Sequence, residues 1–187
     1  MSDLLIMLRV VLSLLLALPA AAFELPKSSQ QVVVGVAQSW NSSHVAVYLY
    51  ERNGKSWKQT MGPCKGRLGK KGLAWGRGLH PVPKDAVTKR EGDWRAPAGV
   101  FRIGGVWGYH PPAEVTRHPR LFYRQVTTRD LWYEDPTSRF YNQHRVLAHE
   151  PRTAQEKKAQ MKQDDYPHSH KLFIAHNAAP EIRPGAG

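Results

Sequence analysis

The chain has 187 residues, a formal net charge of +12 at pH 7 and a sequence pI near 10.0. This length suits one domain with its own hydrophobic core and argues against a multidomain assembly. The single cysteine, Cys64, excludes an internal disulfide and a cysteine-based structural zinc site, so the fold must depend on its core.

The N-terminus has the pattern of a secretory signal peptide. A short region ending at Arg9 precedes the apolar run 10–18, and Ala20-Ala21-Ala22 supplies small residues for cleavage before Phe23. The apolar run is too short to cross a bilayer comfortably, although a retained membrane anchor is the open alternative. We therefore expect a signal peptide over 1–22, export to the periplasm or cell envelope, and one domain over 23–187 without an integral membrane segment.

The positive charge predicts an anionic partner. An exported protein meets the polyanionic cell envelope, and no zinc finger or RNP motif accompanies the charge to favour nucleic acid. We expect an anionic cell-wall polymer and no nucleic acid. A nucleic-acid binder stays the weaker alternative.

The first predicted elements are three β-strands. Residues 31–36 and 44–50 are rich in β-branched and aromatic side chains, and the second run is apolar on both faces, which predicts an interior strand. Asn53-Gly54 separates it from a third run, 56–61, and favours the positive φ angles of a tight hairpin turn. Further strand-like pieces follow at 99–103, 121–123, 131–133 and 170–175.

A long loop and one helix complete the predicted elements. Residues 62–98 interleave glycines with lysines and arginines and then carry prolines, which predicts a basic connecting loop. Thr153-x-x-Glu156 is a capping box, and the helix formers after it predict a helix through Gln163. The fold class is therefore mainly β with one or two short helices.

The glycine-rich basic loop does not fit a nucleotide site. The spacing from Gly66 to Gly72 is not that of a P-loop, and Gly76-Arg77-Gly78 lacks the third glycine of a dinucleotide fingerprint. Pro81 also precludes a helix directly after Gly76-Arg77-Gly78. We expect no cofactor.

His168 and His170 are a possible pair of metal ligands. On a strand their alternation would place both rings on one face. No third ligand follows at a suitable spacing unless Asp164 or Asp165 contributes, so a polar loop is the favoured interpretation and we expect no metal.

Cys64 is a weak candidate nucleophile. Nearby cations such as Lys65 would favour its thiolate, but a catalytic cysteine also needs a base at hydrogen-bond distance. The nearest candidate base is His80. A small, partly buried residue at a turn is the favoured interpretation of Cys64.

The most specific string is 89–101, which places three cations and two acids before a Pro-x-Gly turn and a strand. Alternating charges of this kind usually pair with one another and fix a loop, and the alternative is the polar wall of a substrate cleft. The candidates for either role are Lys89, Arg90, Glu91 and Asp93.

With this string the chain resembles the YkuD-type L,D-transpeptidase domain. The likeness extends back over 69–79 and forward to Trp132, 135–142 and 173–177, so that it covers about residues 66–187 with the motifs in family order. It implies a β-sandwich-like fold and a peptidoglycan substrate, and it adds Asn142 and His176 to the candidate site residues.

The resemblance also implies where the chemistry lies. In the family a cysteine thiolate attacks the peptidoglycan stem peptide, and an amine then takes up the acyl group to form a cross-link. The family's catalytic histidine and Gly-Cys motif follow the Pro-Gly turn, which is Pro184-Gly185 here. No catalytic residue of the family is therefore matched in residues 1–187, and His176 matches a position before the turn.

Two hypotheses follow. The first is an L,D-transpeptidase-like protein, C-terminally incomplete and inactive as this chain, with an open apolar sheet edge, an incomplete core and marginal stability. The second is a non-catalytic envelope protein that binds anionic wall polymers through its basic loop.

Overall fold

A computed structural model describes residues 23–115 and 121–187 of the chain. The predicted signal peptide, 1–22, lies outside the described residues. The described strands are β1 (Gln31–Val36), β2 (His44–Asn53), β3 (Ser56–Arg67), β4 (Leu73–Trp75), β5 (Ala96–Ala98), β6 (Ile103–Gly108), β7 (Tyr123–Gln125), β8 (Asp130–Trp132), β9 (His144–Val146) and β10 (His170–Ile174). A 3₁₀ turn (Pro112–Glu114) and one α-helix, α1 (Ala154–Lys158), accompany them, so the predicted mainly β class is confirmed.

The first sheet is an antiparallel meander with the order β1-β2-β3. The apolar strand β2 lies in its centre, as the sequence predicts. Asn53 pairs with Ser56, so the two loop residues are Gly54 and Lys55, and Gly54 adopts a φ of +60°. The hairpin is therefore confirmed, with its turn one residue later than the Asn53-Gly54 pair suggests.

The prediction of a continuous loop over 62–98 is wrong at both ends. Strand β3 continues to Arg67, which pairs with His44 of β2. Because β2 is long, it offers backbone partners to residues 62–67 although these residues include two glycines and a proline. Gly62 has a φ of +105° where the register between β2 and β3 shifts. Near the other end, β4 and β5 form a parallel pair that joins Leu73 to Ala96.

The predicted strand at 99–103 is also wrong in its position. Gly99 has a φ of +140°, and the Val100 amide donates to Nδ1 of His80 at 2.9 Å instead of to a neighbouring strand. These two features separate β5 from β6, which begins at Ile103.

The helix is shorter than predicted. The capping box is present: Thr153 accepts from the Glu156 amide and Glu156 caps the Thr153 amide. The helix ends at Lys158 because the following residues hydrogen-bond to β8; the Met161 amide donates to the Asp130 carbonyl at 2.9 Å.

The second sheet has the order β10-β6-β7, with β10 antiparallel and β7 parallel to the central β6. A two-stranded ribbon, β8-β9, packs nearby through the contact of Trp107 on β6 with His144 on β9, whose ring centroids are 5.8 Å apart. Strand β9 has no counterpart among the predicted elements.

The core lies outside the first sheet. Among the described residues the buried hydrophobic side chains are Ala74, Val126, Leu131, Tyr133, Tyr141 and Met161. None of these six belongs to β1, β2 or β3. Exposed apolar side chains include Leu172 and Ile174 on the outer face of β10, at 45% and 48%. Within the part of the chain that the structure describes, no helix has the length and apolar character needed to span a membrane.

Candidate functional site

Four separate stretches of the chain meet at one place, which we call the junction: residues 89–93, 141–142, 176–177 and 183–187. Hydrogen bonds join the stretches to one another. Tyr141 Oη donates to Glu91 Oε2 at 2.8 Å, and the Glu91 amide donates to the Gly185 carbonyl at 2.9 Å. Asn142 Nδ2 donates to the carbonyl of Asn177 at 2.7 Å. The six site residues singled out from the sequence all lie in the junction: Lys89, Arg90, Glu91, Asp93, Asn142 and His176.

Asp93 braces the loop 89–93 from within. Its carboxylate accepts from the amides of Arg90 and Arg95, at 2.8 Å and 2.9 Å, and from Nζ of Lys89 at 2.8 Å. Burial alone would raise the pKa of Asp93, but the hydrogen bonds from Arg90, Lys89 and Arg95 outweigh it and hold the pKa below its ordinary value. Lys89 and Asp93 therefore act as loop-bracing residues, the first of the two roles that the sequence left open.

Glu91 points away from this loop to Tyr141. The Tyr141 side chain is 3% exposed, and its hydroxyl accepts from the Gly187 amide at 2.9 Å while it donates to Glu91. Burial, reinforced by the Glu91 carboxylate, raises the pKa of Tyr141 to about 12. The tyrosine thus stays protonated at neutral pH and links the loop to the segment 183–187. Sequence reasoning missed it, although it directly precedes Asn142 in a matched motif.

Two asparagines hold the turn between β10 and the segment 183–187. Asn142 and Asn177 have φ angles of 56° and 48°, a conformation that asparagine tolerates better than most residues. Asn177 is 2% exposed and brackets Arg183, since its Oδ1 accepts from the Arg183 amide and its Nδ2 donates to the Arg183 carbonyl, both at 2.9 Å. The amide side chain of Asn177 therefore fixes the start of the segment.

His176 joins the segment to the loop after β4. Its Nδ1 accepts from the Arg77 amide at 3.0 Å, so Nε2 carries the proton and donates to the Ala186 carbonyl at 3.2 Å. Burial lowers the pKa of His176; the hydrogen bond to Ala186 opposes this shift and the charge of Lys89 adds to it. The imidazole is therefore neutral at neutral pH, with both nitrogens occupied by backbone partners.

Cys64 is not part of the junction. It lies exposed on β3, opposite Val47 in the first sheet. His80 instead accepts from the Val100 amide and packs against Trp75, with 5.3 Å between the ring centroids. No hydrogen bond joins Cys64 to a histidine anywhere in 23–115 or 121–187.

A second polar cluster surrounds Asp130, whose side chain is fully buried. Its carboxylate accepts from the amide and hydroxyl of Thr127, from Nε of Arg124 at 3.1 Å and from Nε2 of His144 at 2.8 Å. Burial would raise the pKa of Asp130, but the bonds from Thr127, His144 and Arg124 outweigh it and lower the pKa. The cluster was not predicted because its members come from three short elements, one of them the unpredicted β9.

The possible metal pair is not assembled. His168 Nδ1 contacts the Asp165 carboxylate at 2.7 Å, whereas the ring of His170 lies beside His110 with 6.0 Å between centroids. Across the described residues, no three histidine, cysteine or acidic side chains are grouped so that they could hold a metal ion.

Comparisons of the chain with family models, with curated proteins and with solved structures give no match.

Proposed function

We propose that this chain is an L,D-transpeptidase-like domain of the cell envelope, with the β-sandwich-like fold of that family and peptidoglycan as its substrate. The observation that carries the proposal is the junction. The motifs 89–93, 141–142 and 176–177 are matched in separate parts of the sequence, yet their residues are hydrogen-bonded to one another. Contact between matched motifs is what a common functional region requires.

The junction has a specific task under this proposal. Glu91, Tyr141 and His176 bind the backbone of residues 185–187, directly at and after the Pro184-Gly185 turn. In the family the catalytic histidine and cysteine follow this turn. The junction would therefore set the direction of the chain that leads to the reacting groups. Its role is positioning, because it contains no thiol that could act as the nucleophile.

Residues 1–187 should not perform the transfer alone. Acyl transfer of this kind needs a thiolate beside a base, and Cys64 has no histidine partner in the described residues. We expect no covalent adduct when the purified 187-residue chain is treated with a carbapenem and weighed by mass spectrometry. Cys64→Ser is the matched control, and an adduct on the wild-type chain that this substitution abolishes would contradict the assignment.

The positive test uses the coding sequence beyond Gly187. If the frame continues into a strand with a histidine and a Gly-Cys motif, the extended protein should form a carbapenem adduct on that new cysteine. In the extended protein Tyr141→Phe should slow adduct formation, while Tyr166→Phe, at a side chain that is 90% exposed, should leave the rate unchanged. An extended protein with the motif but without any adduct would overturn the proposal.

A second candidate function is binding of anionic wall polymers, and one surface favours it. Four exposed cations, which we call the basic strip, lie along the end of β3 and the loop after it: Lys65, Arg67, Lys70 and Lys71. Within the described ranges none of them pairs with a carboxylate; Arg67 contacts His44 instead. The strip therefore presents uncompensated positive charge.

Sedimentation with purified sacculi tests this function. Binding should weaken steeply as salt rises, because exposed charges are screened over about 10 Å at 0.1 M salt. Lys70→Gln with Lys71→Gln should reduce binding, whereas Lys55→Gln with Lys84→Gln removes the same charge elsewhere and should reduce it less. Equal losses in the two double variants would show that only net charge matters.

A further inference from the structure

An open groove of about 430 Å³ lies between the chain after β4 and the chain after β10. We call it the arginine groove. Its polar side chains are Arg77, His80, Arg102, Asn177 and Glu181, so that two cations and one carboxylate line it. Its apolar wall consists of small or branched residues, among them Leu79, Val82, Ala178 and Pro180. Its size falls within the range of small-molecule sites, about 300–1,000 Å³.

The two arginines flank one short piece of backbone. The Ala175 amide donates to the Arg102 carbonyl at 2.9 Å, and the Asn177 amide donates to the Arg77 carbonyl at 3.2 Å. Two residues of extended chain span only about 7 Å. Both arginines also line the groove together with Ala175 and Ala178, so a ligand bound over these alanines lies within reach of both guanidinium groups.

The positive charge of the groove is only weakly compensated. Arg102 is exposed, and its guanidinium makes no hydrogen bond or ion pair within the described part of the chain. Arg77 Nη2 donates to the Glu181 carbonyl at 3.3 Å and lies 4.0 Å from Glu181 Oε2, at the limit of an ion pair. The Glu181 side chain is 85% exposed. An exposed pair of this kind contributes little. An incoming anion would therefore compete with a weak internal partner.

We propose that the arginine groove binds a small carboxylate that carries an aliphatic body. Guanidinium groups bind carboxylates with paired, charge-assisted hydrogen bonds, and the alanines, Val82 and Pro180 offer an apolar surface for the rest of the ligand. This site is separate from the contacts of the junction, which use the backbone of Arg77 and not its guanidinium. It does not depend on the proposed transpeptidase function.

Titration of the isotope-labelled 187-residue protein with butyrate, monitored by the amide signals of Ala178 and Ala179, tests the proposal. Butyramide has the same body without the charge and should bind at least about tenfold more weakly, the loss expected for hydrogen bonds to a charged group. Arg102→Ala should weaken butyrate binding by about tenfold, and Arg77→Ala by a similar factor. Glu181→Gln removes the competing carboxylate and should tighten binding by about twofold.

The controls separate a site from general attraction. Lys84→Ala removes one charge outside the groove and should leave the affinity for butyrate unchanged. Inorganic phosphate should bind more weakly than butyrate, because it has no aliphatic body. Equal affinities for butyrate and butyramide, unchanged affinity in both arginine variants, or tighter binding of phosphate would each overturn the proposal. These measurements involve no acyl transfer, so their failure leaves the proposed function untouched.

Discussion

The hydroxyl of Tyr141 lies 2.8 Å from a carboxylate oxygen of Glu91, a residue distant in the sequence, and donates its proton to it. The same hydroxyl accepts from the Gly187 amide at 2.9 Å. Tyr141→Phe removes both bonds without changing the ring, and we expect it to lower the free energy of unfolding by about 1 kcal/mol. Urea denaturation measures this, with Tyr166→Phe as the control that should not change stability. An unaltered midpoint in Tyr141→Phe would show that the two bonds contribute nothing net.

The alkaline limit of stability follows from the same tyrosine. Its pKa in the folded chain is about 12, above the ordinary value of 10.0, so folding favours the protonated form. This contribution is complete below about pH 10 and is lost as the pH rises through about 12. Ultraviolet difference titration of wild type against Tyr141→Phe should show one tyrosine that titrates late. A difference spectrum with an ordinary midpoint would contradict the burial of the hydroxyl.

Asn177 allows the backbone and side-chain contributions to be separated. Asn177→Ala removes the two hydrogen bonds between the Asn177 side chain and the Arg183 backbone, and it leaves an alanine at a φ of 48°. We expect a loss of about 3 kcal/mol, from two buried hydrogen bonds and a strained residue. Asn177→Gly loses the same bonds but tolerates the angle, so it should cost about 1 kcal/mol less than alanine. Hydrogen exchange of the Arg183 amide should accelerate in both variants. Slow exchange in either variant would mean that the Asn177 side chain does not hold residues 183–187 in place.

Acidification should weaken the fold through His176. Its folded pKa lies below the ordinary value of 6.5, so the unfolded chain takes up the proton first as the pH falls. The contribution is present above about pH 6.5 and is lost as the pH falls through the folded pKa. A protonated Nδ1 also could not accept from Arg77. Denaturation at about pH 7.5 and about pH 5 should therefore show a smaller pH effect in His176→Gln than in His168→Gln.

Asp130 should be the most sensitive position in the second cluster. Asp130→Asn leaves Arg124 and His144 facing an amide instead of a buried carboxylate, and we expect a loss of about 3 kcal/mol. Because the folded pKa of Asp130 is depressed, its contribution is present above about pH 4 and is lost below it. The variant should lack that acid-dependent loss. Asp135→Asn, at an exposed carboxylate, is the control. Equal losses of unfolding free energy in the two variants would show that the buried carboxylate of Asp130 contributes no more to stability than an exposed one.

The sequence predicted that the three long strands exist, although not the full length of β3, and it missed the three-residue strands β4, β5 and β9. Strand β1 and the start of β2 are correct because runs of valine and alternating aromatics signal strands locally. The pair β4-β5 escaped prediction because its three-residue strands depend on a partner far along the chain. Strand β9 was missed for the same reason, since its contact with β8 is what makes it extended.

The site residues could be found from motifs, but their roles could not. The string 89–93 predicted either a braced loop or the wall of a cleft. The roles of its two acids differ only because their side chains point in different directions: Asp93 turns back into the loop, whereas Glu91 reaches Tyr141. The arginine groove had no local signal at all. Arg77 and Arg102 are ordinary surface residues in the sequence, and they become neighbours only because the chain around Ala175 and Asn177 runs between them.

The central strand of the second sheet has consequences for how the molecule assembles. Strand β6 pairs with β10, whose residues come long after it in the chain, so His170 must reach Gly108 before this sheet can close. The first meander, by contrast, needs only neighbours and can form early. Pairings between distant segments slow folding, because the loop must close before the contact stabilises it. A nascent chain should therefore carry a finished meander and an unfinished second sheet until residues 170–174 are in place, and the edge of β6 that β10 later covers would be open to wrong partners during that interval.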